Sequence, residues 1–260
     1  MKTTIVGIDC ATDPSKVGLA LGEVEGGRPK LWEVAVANRG DSVAEVVSRG
    51  TRAIGGVLLA LDAPLGWPQA MTDALPNHRA GEPIGMEANQ LFRRHTDRVV
   101  KEQLGRTPLD VGADRIARTS LATLDLLREL RARTGFPIRL TWKHPIEQEL
   151  AAIEVYPAAT LEVRGMTSSG YKRKSDVNKR DDMLEPLAEH IDLPPDLEAM
   201  VGNADAFDAA ICVLAGADFV RGFCDPPDDL EVAKKEGWIW FKRPEAQTKA
   251  AGEEQSETTQ

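Results

Sequence analysis

Cysteine, histidine and aromatic residues are scarce in this chain: 260 residues carry three Cys, four His and only 5 % Phe, Trp and Tyr. Cys10, Cys212 and Cys224 are odd in number and lack the paired spacing of a structural zinc site or a disulfide framework. His78, His95, His144 and His190 are scattered, and no motif pairs one of them with Cys10, so a thiol enzyme is a poor reading. No apolar run approaches the ~18 residues of a membrane span. The opening MKTTIVGID also has no charged segment followed by an apolar one, as a secretory leader would. Basic charge is in deficit as well: 32 Lys+Arg face 41 Asp+Glu, a formal net charge of −9, which excludes a non-specific nucleic-acid coat with a broad basic face. The expectation is a reduced, cytoplasmic protein with no membrane partner. Nothing in the sequence decides between a monomer and a homo-oligomer.

The chain does contain ordinary globular material, with 42 % hydrophobic and 28 % charged residues. Thr3–Asp9, Val17–Glu23 and Lys30–Ala37 read as three strands, the second and third separated by the turn Glu25-Gly26-Gly27. Ser42 to Glu45 has the spacing of a helix capping box, and Val43, Val46, Val47 and Ile54 continue a helical period. Val57–Leu61 is a continuous apolar run closed by Asp62-Ala63-Pro64, as for a strand buried on both faces. From about 67 to 135 the pattern is helical, with one segment over Met86–Leu104 and another over Ala113–Thr134 stopped by Gly135. Strands resume at Ile138–Trp142 and Ala152–Tyr156. Asp181–Ile191 reads as helix, and Asn203–Gly222 as a strong apolar helix capped by Asn203. GWIWF at 237–241 is a last strand or an apolar plug, and residues 244–260 read as a disordered tail. This predicts a single α/β domain over 1–243 with a helical insertion.

The informative residues are acids placed where burial is costly. Asp9 and Asp62 close the first and fourth strands, at the carboxyl ends where open α/β sheets place their functional crevice. Asp205 and Asp208 share one side of the apolar helix, and Glu154 lies inside the apolar run AIEVY. Each has a plain structural alternative: a turn brace for Asp9, an Asx turn for Asp62, a helix-dipole partner for Asp205, and a solvent-facing strand position for Glu154. Together they form a set of hard oxygen ligands suited to Mg²⁺ or Mn²⁺ rather than zinc. Six basic residues against one acid, Asp176, between Arg164 and Arg180 read either as a solvated loop or as a local phosphate site.

The ordered series GID at 7–9, LDAPLGWP at 61–68, RRHTDR at 93–98, EVYPAA at 154–159 and DAFDAA at 205–210 resembles the DUF429 family, whose members are predicted nucleases with a ribonuclease H-like fold. The resemblance runs from about residue 3 to the GWIW segment. It implies a five-stranded mixed sheet, the first three strands antiparallel, flanked by helices. It also implies two-metal phosphodiester hydrolysis, with Asp9, Asp62, Asp205 and Asp208 as metal ligands and Glu154 as a further ligand or a support. Asp97, Arg98, Lys172, Arg173 and Lys174 would contact a nucleic-acid or nucleotide substrate, Arg98 through a guanidinium fork; a surface ion pair for the first two and a mobile loop for the others are the plain alternatives. Trp67 would stack on a base or simply fill core. Two other functions share this topology. One is an actin- or sugar-kinase-like phosphotransferase, with GIDCATDPSKVGLA as a phosphate hairpin; the other is a non-catalytic nucleotide- or nucleic-acid-binding protein.

Overall fold

The computed structural model describes residues 2–37, 43–50, 56–112 and 114–245. The chain opens with three strands, β1 (Thr3–Asp9), β2 (Gly18–Val24) and β3 (Lys30–Val36), followed by α1 (Val43–Gly50) and β4 (Gly56–Asp62). Four helices come next: α2 (Gln69–Ala74), α3 (Ala88–Phe92), α4 (His95–Leu104) and α5 (Asp114–Thr134). Strands β5 (Arg139–Leu140) and β6 (Leu150–Val155) precede α6 (Pro157–Glu162), α7 (Val177–Asp182), α8 (Leu184–Ala188) and α9 (Glu198–Gly202). The long α10 (Ala204–Val220), α11 (Leu230–Glu236) and β7 (Ile239–Trp240) complete it.

All strands join one mixed sheet in the order β3-β2-β1-β4-β6-β5, with β7 also on β6. The first three pair antiparallel, as the resemblance implies, while β1–β4 and β4–β6 are parallel. The sheet has seven strands rather than the expected five. The two additions are two-residue strands that share the outer edge of β6, β5 beside Ala151 and Ala152 and β7 beside Glu154 and Val155.

Side chains alternate across the sheet and sort into two cores. Ile5, Leu58, Ala60, Ala151 and Ile153 face α10. Val6, Ile8, Leu59, Leu61 and Ala152 face the opposite layer, where Val47 of α1 and Leu127 and Leu130 of α5 meet them. Helix α5, expected within an insertion, is therefore one wall of the fold. The helix expected over Met86–Leu104 is two, because Arg94 takes an extended backbone (φ −72°, ψ 162°) and starts α4. The Ser42 half of the expected capping box, Ile54 and the tail beyond 245 lie outside the described residues.

Helix α10 is apolar on every side and is buried without a break from Ala206 to Phe219, the pattern of a helix enclosed by its neighbours. Asn203 caps it, its side-chain oxygen accepting from the backbone N–H groups of Asp205 and Ala206. It lies in backbone contact with the sheet. A Cβ on Gly7 would stand 2.2 Å from the Ala209 carbonyl oxygen, and one on Gly18 would stand 1.9 Å from that of Asp205. No side-chain rotation relieves a clash with backbone, so Gly18→Ala must move helix or hairpin. We expect a loss of about 3 kcal/mol or more in urea unfolding at fixed pH; a change below about 0.5 kcal/mol would show that the helix tolerates displacement.

Candidate metal centre

Asp9 and Asp62 are register partners at the ends of the parallel pair β1–β4. Alternation puts both on the α10 side of the sheet, since Ile5 on β1 and Leu58 and Ala60 on β4 face that way. Asp208 comes down to meet them from the first third of α10, one turn past the N-cap and itself 1 % exposed. One oxygen from each of the three carboxylates lies within 4.8 Å of the other two. Asp205 is half-buried one helical turn earlier and raises the proton affinity of Asp9 through its charge, but it stands outside this triad.

The charges are poorly compensated. Burial, then the Asp208 and Asp62 charges, hold the Asp9 carboxyl well above the usual carboxylate range. Asp62 is pushed up to about 7, first by burial and then by Asp208 and Glu154, against the opposing pull of Lys172 and a hydrogen bond with Asp9. Asp205 is raised by burial and by Asp208. The cations and donors come from one loop: the Tyr171 hydroxyl donates to Asp208 Oδ1 at 2.7 Å, and Lys172 Nζ pairs with Asp208 Oδ2 at 2.5 Å. Burial raises the Tyr171 hydroxyl far from ionisation, so it remains a donor. Cys10 beside Asp9 is also raised by burial and keeps its proton, which removes it as a thiolate ligand or nucleophile.

Arg180, which the sequence shows only as the end of the basic run, holds that loop. It is 1 % exposed, and its guanidinium donates only to carbonyls: Tyr171 at 2.5 Å, Arg173 at 3.0 Å, Val201 at 2.8 Å and Gly202 at 3.4 Å. It thereby ties the residues on both sides of Lys172 to the segment that leads into α10.

Glu154 does not join the triad. Its neighbours Ile153 and Val155 face α10, so the two-residue period of β6 turns Glu154 to the other side. There it takes the fork of Arg94, Oε1 from Nη2 at 2.7 Å and Oε2 from Nη1 at 2.9 Å, and accepts the Leu65 backbone N–H at 3.0 Å. Asp97 also goes to Arg94, accepting from Nη2 at 2.9 Å and from the Arg94 backbone N–H at 2.9 Å. Arg94, Asp97 and Glu154 are all buried, so Asp97 is a structural partner of Arg94. The sequence reading passed over Arg94 although it stands inside RRHTDR. The network fixes the loop after Asp62, because Leu65 hangs on Glu154 and a Cβ on Gly66 would strike the Lys235 carbonyl at 2.4 Å. Of the other expected substrate contacts, Arg98 donates to the Arg93 carbonyl in an exposed position. Arg173 and Lys174 are exposed, the Arg173 backbone N–H going to Asp176. Trp67 is half-buried.

The family model for DUF429, described as a protein of unknown function, matches residues 7–232. The chain belongs to the DUF429 family. That match spans GID at its start, LDAPLGWP, RRHTDR, EVYPAA and DAFDAA, and so includes every acid of the triad. No curated protein and no solved structure matches the chain at a significant level. Among the described residues no helix is long and apolar enough to cross a membrane.

Two measurements separate the two acid groups. A carboxyl whose pKa is raised by folding stabilises the folded state fully below its unfolded value and loses that contribution as pH rises through the folded value. Without divalent ions the protein is expected to lose stability between about pH 4 and pH 7, the window set by Asp62 and widened by Asp9. Mn²⁺ should restore the melting temperature at pH 7.5, and a flat profile in chelator would contradict the crowding of the triad. Glu154→Gln, by contrast, should lower stability by about 3 kcal/mol, as breaking a buried charge pair does, and leave Mn²⁺ affinity within about twofold. A large loss of Mn²⁺ affinity would place Glu154 in the metal centre.

Proposed function

We propose that the protein is a divalent-metal-dependent phosphodiester hydrolase with a ribonuclease H-like core, acting on a nucleic acid or nucleotide. The observation that carries this reading is the convergence of Asp9, Asp62 and Asp208 within 4.8 Å at the carboxyl ends of β1 and β4. The fit to a hard cation rests on the donors: three carboxylates, with no histidine and with the neighbouring Cys10 kept protonated. Asp9, Asp62 and Asp208 would hold Mg²⁺ or Mn²⁺, and Asp205 would contribute to a second ion. Such ions would supply an activated water and neutralise charge in an in-line displacement at phosphorus. The strand order β3-β2-β1-β4-β6, with its antiparallel first three strands, supports the ribonuclease H-like assignment.

The chain's own groups would do the rest. Without an ion the Asp62 carboxyl, pushed up to about 7, would hold a proton part of the time near neutrality, so an ion bound there would release it. Lys172 reaches Asp208 from a loop that also carries the exposed Arg173 and Lys174, and these three would meet the substrate phosphates, with Arg98 as a further contact. The net charge of −9 and the absence of a long basic stretch favour a short or small phosphodiester over long duplex. The kinase alternative calls for a duplicated core, whereas the described residues form one sheet.

The test is a Mn²⁺ titration followed by electron paramagnetic resonance, combined with hydrolysis of a chromogenic phosphodiester and short oligonucleotides. Wild type should bind one or two ions at up to millimolar concentration and hydrolyse at least one substrate class. Asp208→Asn should lose an ion and at least about 100-fold in rate. Metal binding without hydrolysis of any phosphodiester would move the assignment to a binding protein, and an absence of both would overturn it.

A further inference from the structure

Asp208 has both carboxylate oxygens already engaged. Oδ1 accepts from Tyr171 at 2.7 Å, and Oδ2 is held by Lys172 Nζ at 2.5 Å. A cation bound to all three acids needs an oxygen of Asp208. Each oxygen keeps a second lone pair beside its hydrogen bond, so the neutral Tyr171 donor can stay, whereas the Lys172 ammonium would stand against the ion's like charge. The two differ sharply in freedom. Tyr171 is fully buried, and its ring stands 5.5 Å from that of Phe207. The Lys172 side chain is 59 % exposed although its head touches a carboxylate that is 1 % exposed.

The backbone around Lys172 is fixed. Arg180 holds the carbonyls of Tyr171 and Arg173, one on each side, and the Asp176 side chain accepts the Arg173 backbone N–H at 2.9 Å. Motion at this point is therefore confined to the lysine's four-carbon stem, which can swing into solvent without unfolding the loop. The charge of that ammonium acts on Asp9 and Asp62 as well as on Asp208. It stands where a metal ion's charge would otherwise be required.

We infer that Lys172 is an exchangeable counter-cation: its ammonium occupies Asp208 Oδ2 in the metal-free protein, and a divalent ion displaces it. This rests on the reading of the triad as a metal site. It adds that metal affinity is set partly by a competing side chain that Arg180 keeps in reach. Lys172 is thus a positioning and gating residue, which neither composition nor the basic run around it discloses.

Two experiments on the intact chain test the exchange. In the first, Mn²⁺ binding is compared between wild type and Lys172→Met by electron paramagnetic resonance at constant pH and ionic strength. Removal of the competitor should tighten Mn²⁺ binding about fivefold or more, while the metal-free variant melts lower than wild type and the gap closes with saturating Mn²⁺. In the second, wild type is reductively methylated with and without Mg²⁺, and labelling is read by mass spectrometry. Lys172 should label about threefold faster or more with Mg²⁺, as expected for an ammonium released from its carboxylate. Lys234, paired with Glu231 on α11, serves as the unchanging reference. If wild type binds Mn²⁺ but Lys172→Met binds it equally or more weakly and Lys172 labelling does not rise, the exchange is wrong and the metal site stands. If wild type binds no Mn²⁺, the metal reading falls and the exchange falls with it.

Discussion

The close seating of α10 on the β1–β2 hairpin is the constraint on which the rest of the structure depends. An apolar helix usually rides on a sheet at side-chain distance. Here two strand positions carry no side chain, and the helix backbone at Asp205 and Ala209 comes down onto Gly18 and Gly7. That displacement brings Asp208 level with the ends of β1 and β4. With a Cβ at either glycine the helix would stand off, and Asp208 would no longer share a site with Asp9 and Asp62. Packing and chemistry are therefore one problem in this molecule: the apolar burial of Ala206–Phe219 supplies the force that holds three acids together.

That force is needed. At an effective dielectric of about 20, two unit charges 4.8 Å apart repel by about 3.5 kcal/mol, and the triad contains three such pairs. The protein answers in two ways. Burial and neighbouring charge raise Asp9 and Asp62 well above the usual carboxylate range, which favours their protonated, uncharged forms. A tethered cation and a neutral donor, Lys172 and Tyr171, cover Asp208. Apolar residues in place of this cluster would make the fold more stable, so the triad is a net cost to the folded state. The second buried network works in the opposite sense. Arg94 is held by Glu154, Asp97 and the Glu236 carbonyl, and through Glu154 and Leu65 it ties the loop after Asp62 to the end of α11.

Much of this was legible in the residues themselves. Asp9 and Asp62 could be found because each closes an apolar run, so their place at strand ends follows from the sequence alone. Asp208 could be found because it interrupts an apolar helix past the turn where the dipole would explain it. The Glu25-Gly26-Gly27 turn marked the break between β2 and β3, the antiparallel order of all three came with the family resemblance, and the cap at Asn203 followed from its position. Glu154 was a harder case. It lies in a strand buried on both faces, where apolar residues on either side leave no alternation to read, so the face it points to depends on the register of β6 against β4. Asp97 pointed to a substrate contact or a surface ion pair, and its burial against Arg94 had no signal because Arg is a residue type seldom buried. Arg180 stood only as the end of a basic run and Tyr171 gave no local signal, since their roles depend on carbonyls of α9 and of the 171–173 loop and on a carboxylate of α10. Strands β5 and β7 fall inside the runs Ile138–Trp142 and GWIWF that read as strands; the five-strand count came from the resemblance, and what the sequence did not show is that only two residues of each pair with β6.

The most direct test of the account is a crystal grown with Mn²⁺ and measured for anomalous scattering. A cation centre built by α10 and the β1–β4 pair predicts a peak at coordination distance, about 2.2 Å, from one oxygen each of Asp9, Asp62 and Asp208, with the Lys172 ammonium moved off Asp208 Oδ2. A map with no peak among these carboxylates in Mn²⁺-saturated crystals, and Lys172 still on Asp208, would contradict it.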